Sequence, residues 1–225
     1  MTLPTSKNYS TRQQLDKLRL AILEKIASGG ELQDILDRLL LIVEGELPDI
    51  ICSILIIDPT GQYFQWGAAP SLPNTFNAMF QGRPVGPDSC ACGVSAYTRK
   101  RVIVEDIHTQ PSWNDHRELA KTTGIAACWA EPIISSQGEV LGTFSIFHRK
   151  RLAPDDNEIQ LITHMAHLAG LAIERSHFDS ALTASEIRYK ALFEQANDAI
   201  FLLEGNNFVE CNDKTLEIYG CTRKD

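Results

Sequence analysis

From Thr11 to Ala27, Leu15, Leu18, Ala21, Ile22 and Ile26 recur at steps of three and four residues, which places them on one side of an α-helix. Ser28-Gly29-Gly30 ends that run. Glu31 to Glu46 repeats the pattern with Leu32, Ile35, Leu36, Leu39, Leu40 and Val43, and Leu47-Pro48 stops it. The period then changes. Ile51 to Ile57 is a continuous apolar run bounded by Asp58-Pro59-Thr60-Gly61, the signature of a strand entering a turn, and Gln62 to Trp66 is expected to return as the second arm of a hairpin. Gly67 to Pro87 is rich in Gly, Pro, Asn and Ala, with one short helix expected at Pro73 to Phe80. A connection of this length is often functional.

Further along, Gly93 to Arg99 reads as a short helix, Val102 to Val104 as a short strand, and Trp113 to Thr123 as a second short helix ended at Gly124. Ala126 to Ser135 and Val140 to His148 read as two strands joined by the turn Ser136-Gln137-Gly138-Glu139. Pro154 can open a helix, and Asp155 to about Phe178 carries an apolar stripe at Ile159, Ile162, Ala166, Ala169 and Ile173. Ala181, Ala184, Ile187 and Ala191 sustain a weaker pattern toward Phe193, as in a helical connector rather than a strong coiled coil. Ala199 to Leu203 and Phe208 to Cys211 read as strands around a Gly205-Asn206-Asn207 turn, and Thr215 to Tyr219 starts a helix. This last unit is expected to be the beginning of a second, cut domain. The order predicts an α+β fold. The first and last helices should share one face of an antiparallel sheet, and the loop and short-helix insertion should cover the other face, with a pocket beneath it.

Composition narrows the function classes. The formal net charge of the 225 residues is −8, against the basic stripe a general nucleic-acid binder needs. Arg99-Lys100-Arg101 and Arg149-Lys150-Arg151 read as solvated strand-end charges rather than phosphate sites. The N-terminus lacks the charged-then-apolar layout of a secretory signal, and no window reaches the ~18 apolar residues of a membrane span. Six scattered cysteines in a chain this long are expected to be reduced thiols, hence a cytoplasmic location.

Five pieces carry a family resemblance. They are Cys92-Gly93 entering a helix, Val102-Ile103-Val104-Glu105-Asp106-Ile107, Pro111-Ser112-Trp113, Ala127-Cys128-Trp129-Ala130-Glu131-Pro132-Ile133, and Gly138-Glu139-Val140-Leu141-Gly142-Thr143-Phe144. Together they resemble a GAF domain over about residues 13–177. Tyr189-Lys190-Ala191-Leu192-Phe193-Glu194-Gln195-Ala196-Asn197-Asp198-Ala199-Ile200, with Val209-Glu210-Cys211-Asn212, resembles the start of a PAS domain. The expected organisation is a flexible N-terminus (1–12), a GAF domain (13–177), a helical connector (178–188) and a truncated PAS segment (189–225). The resemblance implies the input half of a bacterial signalling protein, of the kind that ends in a histidine kinase or a GGDEF or EAL domain acting on cyclic di-GMP. None of those output motifs occurs here, so catalysis by this polypeptide is not expected.

The candidate ligand-binding residues are Ser89, Cys92, Trp113, His116, Cys128, Trp129, Ser145 and Phe147, with Trp113 and Trp129 as possible stacking walls. Cys90, Cys92 and Cys128 are redox candidates. A one-residue gap and the lack of a fourth ligand leave no metal site assigned, and the cofactor is unknown. Phe144 and Phe147 should lie on opposite sheet faces, with Ser145 on the face of Phe147. Asp106 is expected to accept backbone hydrogen bonds in the following turn, and His164 and His167 to be exposed or packed rather than haem or metal ligands.

The function expected is sensing of a small ligand or of redox state, passed through the last helix. A homodimer through the terminal helices is the expected partner, with no nucleic acid and no membrane in this segment. A dimerisation scaffold without ligand is the alternative. A free methionine sulfoxide reductase is a further one. It would need a cysteine in Ser112-Trp113-Asn114-Asp115-His116 and acidic groups where Cys128 and Phe147 stand, and all are missing. A covalently attached bilin would need a thiol beside His116, and none is there.

Overall fold

The computed structural model describes residues 19–47, 49–220 and 222, without the side chains of Asn74, Phe76, Asn77, Asp115, His116 and Leu119. The chain divides into two compact units, Met1–Ser176 and His177–Asp225.

In the first unit, the expected first helix is seen as α1 over 19–27, and its Thr11–Leu18 part lies outside the described residues. It is followed by α2 (Leu32–Glu46), β1 (Ile50–Ile57), β2 (Phe64–Ala68), α3 (Asn74–Phe80), α4 (Ala91–Thr98) and β3 (Val102–Val104). Two 3-10 turns, Ile107–Thr109 and Pro111–His116, lead to α5 (Arg117–Thr123), β4 (Ala127–Ile134), β5 (Val140–His148) and the long α6 (Asp156–Glu194). The five strands form one sheet in the order β2-β1-β5-β4-β3, antiparallel at every pairing.

Two boundaries differ from expectation for local reasons. Asp58 Oδ1 accepts the backbone N–H groups of Gln62 and Tyr63, each at 3.0 Å, so the turn after β1 runs longer and β2 starts at Phe64 rather than Gln62. Pro111 stands at the first position of a 3-10 segment that carries Trp113, so the expected single helix from Trp113 to Thr123 is split and its α-helical part begins at Arg117. The hairpin turn between β4 and β5 forms where its sequence placed it. Ser135 Oγ accepts the N–H groups of Gln137 (3.2 Å) and Glu139 (3.0 Å).

The sheet is covered on both faces. On one face, Ile22 and Ile26 of α1, Ile35, Leu36, Leu39, Leu40 and Val43 of α2, and Ile162 to Ile173 of α6 enclose Cys52, Ile54, Trp129, Ile133, Phe144 and Ile146. On the other, α3, α4, α5 and the 3-10 turns enclose Ile51, Leu55, Phe64, Cys128, Ala130 and Phe147. The first and last helices thus share a face, as the periodicity predicted. Strand alternation sorts Phe144 from Phe147 in the expected way.

α6 opens with reciprocal bonds. Asp155 Oδ1 accepts the N–H of Glu158 at 2.8 Å, and Glu158 Oε2 accepts the N–H of Asp155 at 2.8 Å. This is a capping box with Asp in the cap position. The buried stripe of α6 ends at Ile173, and from Ser180 to Leu192 the helix is exposed.

The second unit pairs β6 (Phe201–Glu204) with β7 (Asn207–Cys211) and ends in α7 (Asp213–Tyr219). Asn212 ties it together. Its Oδ1 accepts from Ile200 N (2.9 Å), Thr215 N (3.0 Å) and Thr215 Oγ1 (2.7 Å), and its Nδ2 donates to the Asp198 carbonyl (2.9 Å). One side chain therefore caps α7 and closes the loop before β6.

Candidate functional site

The candidate site lies where α4 crosses the covered face of β5 and β4. One row of residues across the sheet is small. Ser53 of β1, Ser145 of β5 and Ala130 of β4 are cross-strand neighbours. The buried face of α4 is equally small, with Ala91, Cys92, Gly93, Ser95 and Ala96. Small against small lets helix and sheet backbones approach closely. Ser95 Oγ donates to the Ala130 carbonyl at 3.3 Å, and Cys92 Sγ lies 3.2 Å from Ser145 Oγ. Gly93 instead seats the start of α4 closely on the segment before it. A Cβ there would lie 2.3 Å from Ser89 Oγ and 2.4 Å from Ser89 Cβ, well inside contact distance.

Cys90 caps the N-terminus of α4 with an extended backbone, and its carbonyl accepts the N–H of Val94 at 3.0 Å. Ser89 Oγ donates to Cys90 Sγ at 3.9 Å. The Cys90 thiol is held below its ordinary range. The neighbouring Cys92 side chain is the main cause, joined by the N–H groups of Gly93 and Cys92 and the Ser89 hydroxyl, while burial opposes them. Cys92 is pushed up, first because its proton is engaged by Cys90, then by burial and by the nearby Cys90 and Cys128 charges, with Ser145 opposing. Burial, then Cys90, pushes Cys128 up as well. The two thiols are thus shifted in opposite directions.

The structure brings Ser89, Cys90, Cys92, Cys128, Ser145, Trp113 and Phe147 to the covered face. Cys128 pairs with Phe147 across β4 and β5, and Trp113 meets Phe147 edge-on with centroids 6.4 Å apart. It does not bring Trp129 there. Trp129 follows Cys128 on β4, so alternation sends it to the helical face, where it tilts against His148 at 4.2 Å and donates from Nε1 to the Leu152 carbonyl at 3.3 Å. Two tryptophan walls facing one ligand is therefore corrected to a single tryptophan on the covered face. The His116 side chain lies outside the described ones. Where a hollow was expected, Cys92 touches Ser145 and Trp113 touches Phe147, and all four are buried. A ligand at this place would have to displace the cover.

Among the described residues, no group of three His, Cys, Asp or Glu side chains is arranged to hold a metal ion, and no helix is long and apolar enough to cross a membrane. His164 and His167 lie exposed on α6. Asp106 accepts the N–H of His108 at 3.0 Å, the turn role expected of it. The basic clusters serve the frame: Arg149 Nη1 donates to the Thr123 carbonyl (2.7 Å), Lys150 pairs with Asp49 (3.1 Å) and Arg151 with Asp106 (3.1 Å).

Sequence reasoning missed the ties between this region and α6. Arg101, just past α4, pairs through Nε with Glu131 Oε2 of β4 at 2.5 Å, and its Nη2 donates to Thr163 Oγ1 of α6 at 2.7 Å. Glu174 of α6 accepts from both the backbone N–H (3.1 Å) and the hydroxyl (2.6 Å) of Ser136 in the β4–β5 turn. Gly170 lets α6 approach the sheet, since a Cβ there would stand 3.2 Å from the Ile134 carbonyl oxygen. Only a register could have exposed these ties, because the partners are 30 to 62 residues apart in sequence. The Ile51-x-Ser53-x-Leu55 alternation was the available signal for the small row.

A family model described as GAF domain matches residues 30–174, and one described as PAS domain matches 187–225. A methyl sulfide methyltransferase-associated sensor from Methanosarcina acetivorans is 36% identical over 223 residues, covering 97% of this chain and 22% of that protein. The chain thus spans about a fifth of its curated relative. Solved structures agree on the fold. The GAF domain of an Acinetobacter phosphoenolpyruvate-protein phosphotransferase superposes with a TM-score of 0.57 at 17% identity, covering 75% of this chain and 98% of that one. The free methionine-R-sulfoxide reductase of Neisseria meningitidis, in complex with its substrate, gives 0.59 at 14% identity, with 80% and 97% covered. Sequence and fold together make this chain a member of the GAF domain family, with a PAS-type segment after it.

Proposed function

We propose that this chain is a sensory module in which the α4 cover responds to a small ligand or to oxidation of its thiols, and α6 carries the response onward. The observation that supports it best is the placement of Arg101. It stands just past the helix bearing Cys92, after Arg99 and Lys100, and bonds at once to β4 and to α6. Any shift of α4 along the sheet pulls on that three-way contact. The sensor name of the Methanosarcina relative fits this reading, and so does the PAS-type segment after α6. The whole protein's output is proposed to be a histidine kinase or a cyclic di-GMP enzyme, with the chain itself non-catalytic. The reductase reading draws no support from this site. Cys128 and Phe147 are buried among apolar groups and offer no carboxylate to a substrate's amino group.

A second reading has its own observation. Phe178, Leu182, Ile187 and Leu192 are exposed on the later part of α6, which suits a helix that meets a second copy in a parallel homodimer. A thermal-shift screen of the full chain against a broad metabolite panel, in reduced and oxidised buffer, separates the two readings. A sensor gains several degrees with its ligand or shifts with redox state, whereas a scaffold responds to neither. Flat melting temperatures across the panel and both redox states would sink the sensory reading.

A further inference from the structure

The turn between β4 and β5 is gripped from two sides. Within itself it is closed at four points. Ser135 Oγ accepts the N–H groups of Gln137 and Glu139, the Ser135 N–H donates to the Glu139 carbonyl at 2.8 Å, and the Gly138 N–H donates to the Ser135 carbonyl at 3.0 Å. Such a turn moves as one piece. Arg99 reaches it from the cover, where its Nη1 donates to the Gly138 carbonyl at 3.2 Å. Arg99 ends α4 in the left-handed region, with φ 57° and ψ 30°. Among the described residues, Asp49 and Arg99 are the non-glycine positions with positive φ. Glycine is the usual residue after a helix in this conformation, because it has no Cβ to clash. An arginine there gives the position a guanidinium that glycine lacks, and that guanidinium bonds the turn. Glu174 reaches the turn from α6, where its Oε1 accepts both the N–H (3.1 Å) and the hydroxyl (2.6 Å) of Ser136. Glu174 stands beside Ile173, where the buried stripe of α6 ends. Thr163, the partner of Arg101, lies about three turns earlier on the same side of α6.

We propose that the turn from Ser135 to Glu139 is a coupling piece, which takes up a displacement of α4 through Arg99 and delivers it through Glu174 to the end of the buried part of α6. This rests on the sensory reading above and names a part through which its output is regulated. The path is short. α4 rests on β5 and β4 at Cys92 and Ser95, which meet Ser145 and the Ala130 carbonyl. The helix has only eight residues, so a shift at those contacts carries its C-terminal cap along. Arg99 then draws the Gly138 carbonyl with it or releases it, and in both cases Ser136 changes place. Ser136 offers Glu174 two donors at once, so α6 must follow or give up both bonds. Arg101 holds α6 at its earlier part, through Thr163 and through Glu131, which pairs with Phe144 inside the sheet. The turn holds it at the later part, so the segment between Thr163 and Glu174 is tied at both ends.

The test uses the full chain, with a substitution in α4 as the probe. Gly93→Ala presses a methyl against Ser89 and shifts the seating of α4. Amide hydrogen exchange is read in α4 and over residues 170–176 of α6. The expected result is several-fold faster exchange in both windows. Each further variant is compared with the same background lacking Gly93→Ala. With Arg99→Gly added, the change in α4 should remain and the change over 170–176 should vanish. The melting temperature should stay at or above that of Gly93→Ala alone, because glycine suits the left-handed backbone. Glu174→Gln can still accept both bonds and should keep the propagated change, whereas Glu174→Ala should lose it. Ser95→Ala, which removes the bond to the Ala130 carbonyl, is the second probe should Gly93→Ala fail to fold. Exchange over 170–176 that ignores both probes would overturn the proposal. Propagation that survives Arg99→Gly would overturn it too, assigning the path to Arg101 and leaving the sensory reading in place. Propagation as expected, in a chain whose melting temperature answers to no metabolite and no redox state, keeps the coupling piece and removes the sensory reading.

Discussion

The two faces of the sheet are built from different materials. The helical face is closed by Ile, Leu and Val side chains from α1, α2 and α6 around Phe144 and Ile146, and its buried polar content is slight. The covered face puts Cys90, Cys92, Cys128, Ser53, Ser95, Thr143 and Ser145 under short helices and turns, all of them buried. Apolar branched side chains maximise area removed from water. Thiols and hydroxyls bury little area and keep chemistry available. One face is therefore closed by aliphatic helix side chains, while the other sets a row of thiols and hydroxyls among buried rings such as Phe64, Phe80, Trp113 and Phe147.

The largest test of that division is truncation on the helical face. Phe144→Ala removes a fully buried ring and should cost about 3–5 kcal/mol in urea unfolding. A loss under about 1 kcal/mol would mean that this face is not what holds the domain together. A middle-sized effect belongs to the cover. Gly93→Ala forces a methyl against Ser89 and should cost about 1–3 kcal/mol, most of it recovered in the double variant with Ser89→Gly. If Ser89→Gly gives no recovery, the close seating of α4 has another cause.

The smallest effect concerns His148 on the helical face. Burial lowers its pKa, against the opposing pull of Glu158 and Asp49. A folded state that prefers neutral His148 binds fewer protons than the unfolded chain. Stability is therefore full above the ordinary histidine range and declines as pH falls through it toward the lowered value. His148→Gln should flatten the dependence of unfolding free energy on pH between about 7 and 5. An unchanged slope would assign that dependence to other groups.

Much of the first unit could be read from the chain. Periodicity placed α2, β4, β5 and the shared face of the first and last helices, because each is long enough for its period to repeat. The 3-10 turn at Pro111 broke a helix that apolar spacing alone would have continued. In the site, the cysteines and Ser145 are legible in the sequence, but the pocket expected there is filled by side-chain contacts. In the structure their small size lets α4 sit against the sheet, and Cys92 and Ser145 touch. A hollow and a close approach call for the same residue types, so composition cannot distinguish them. Trp129 was misplaced because its aromatic character outweighed its position one residue after Cys128.

The sequence alone determined the helices and strands, the two families and the list of thiols, since each depends on local period or local pattern. Tertiary structure decided which thiols share a face, which tryptophan faces away, and how Arg101 reaches Glu131 and Thr163. Those facts depend on strand register and on helix seating. Both are set by the packing of side chains far apart in the chain, and no local pattern records it.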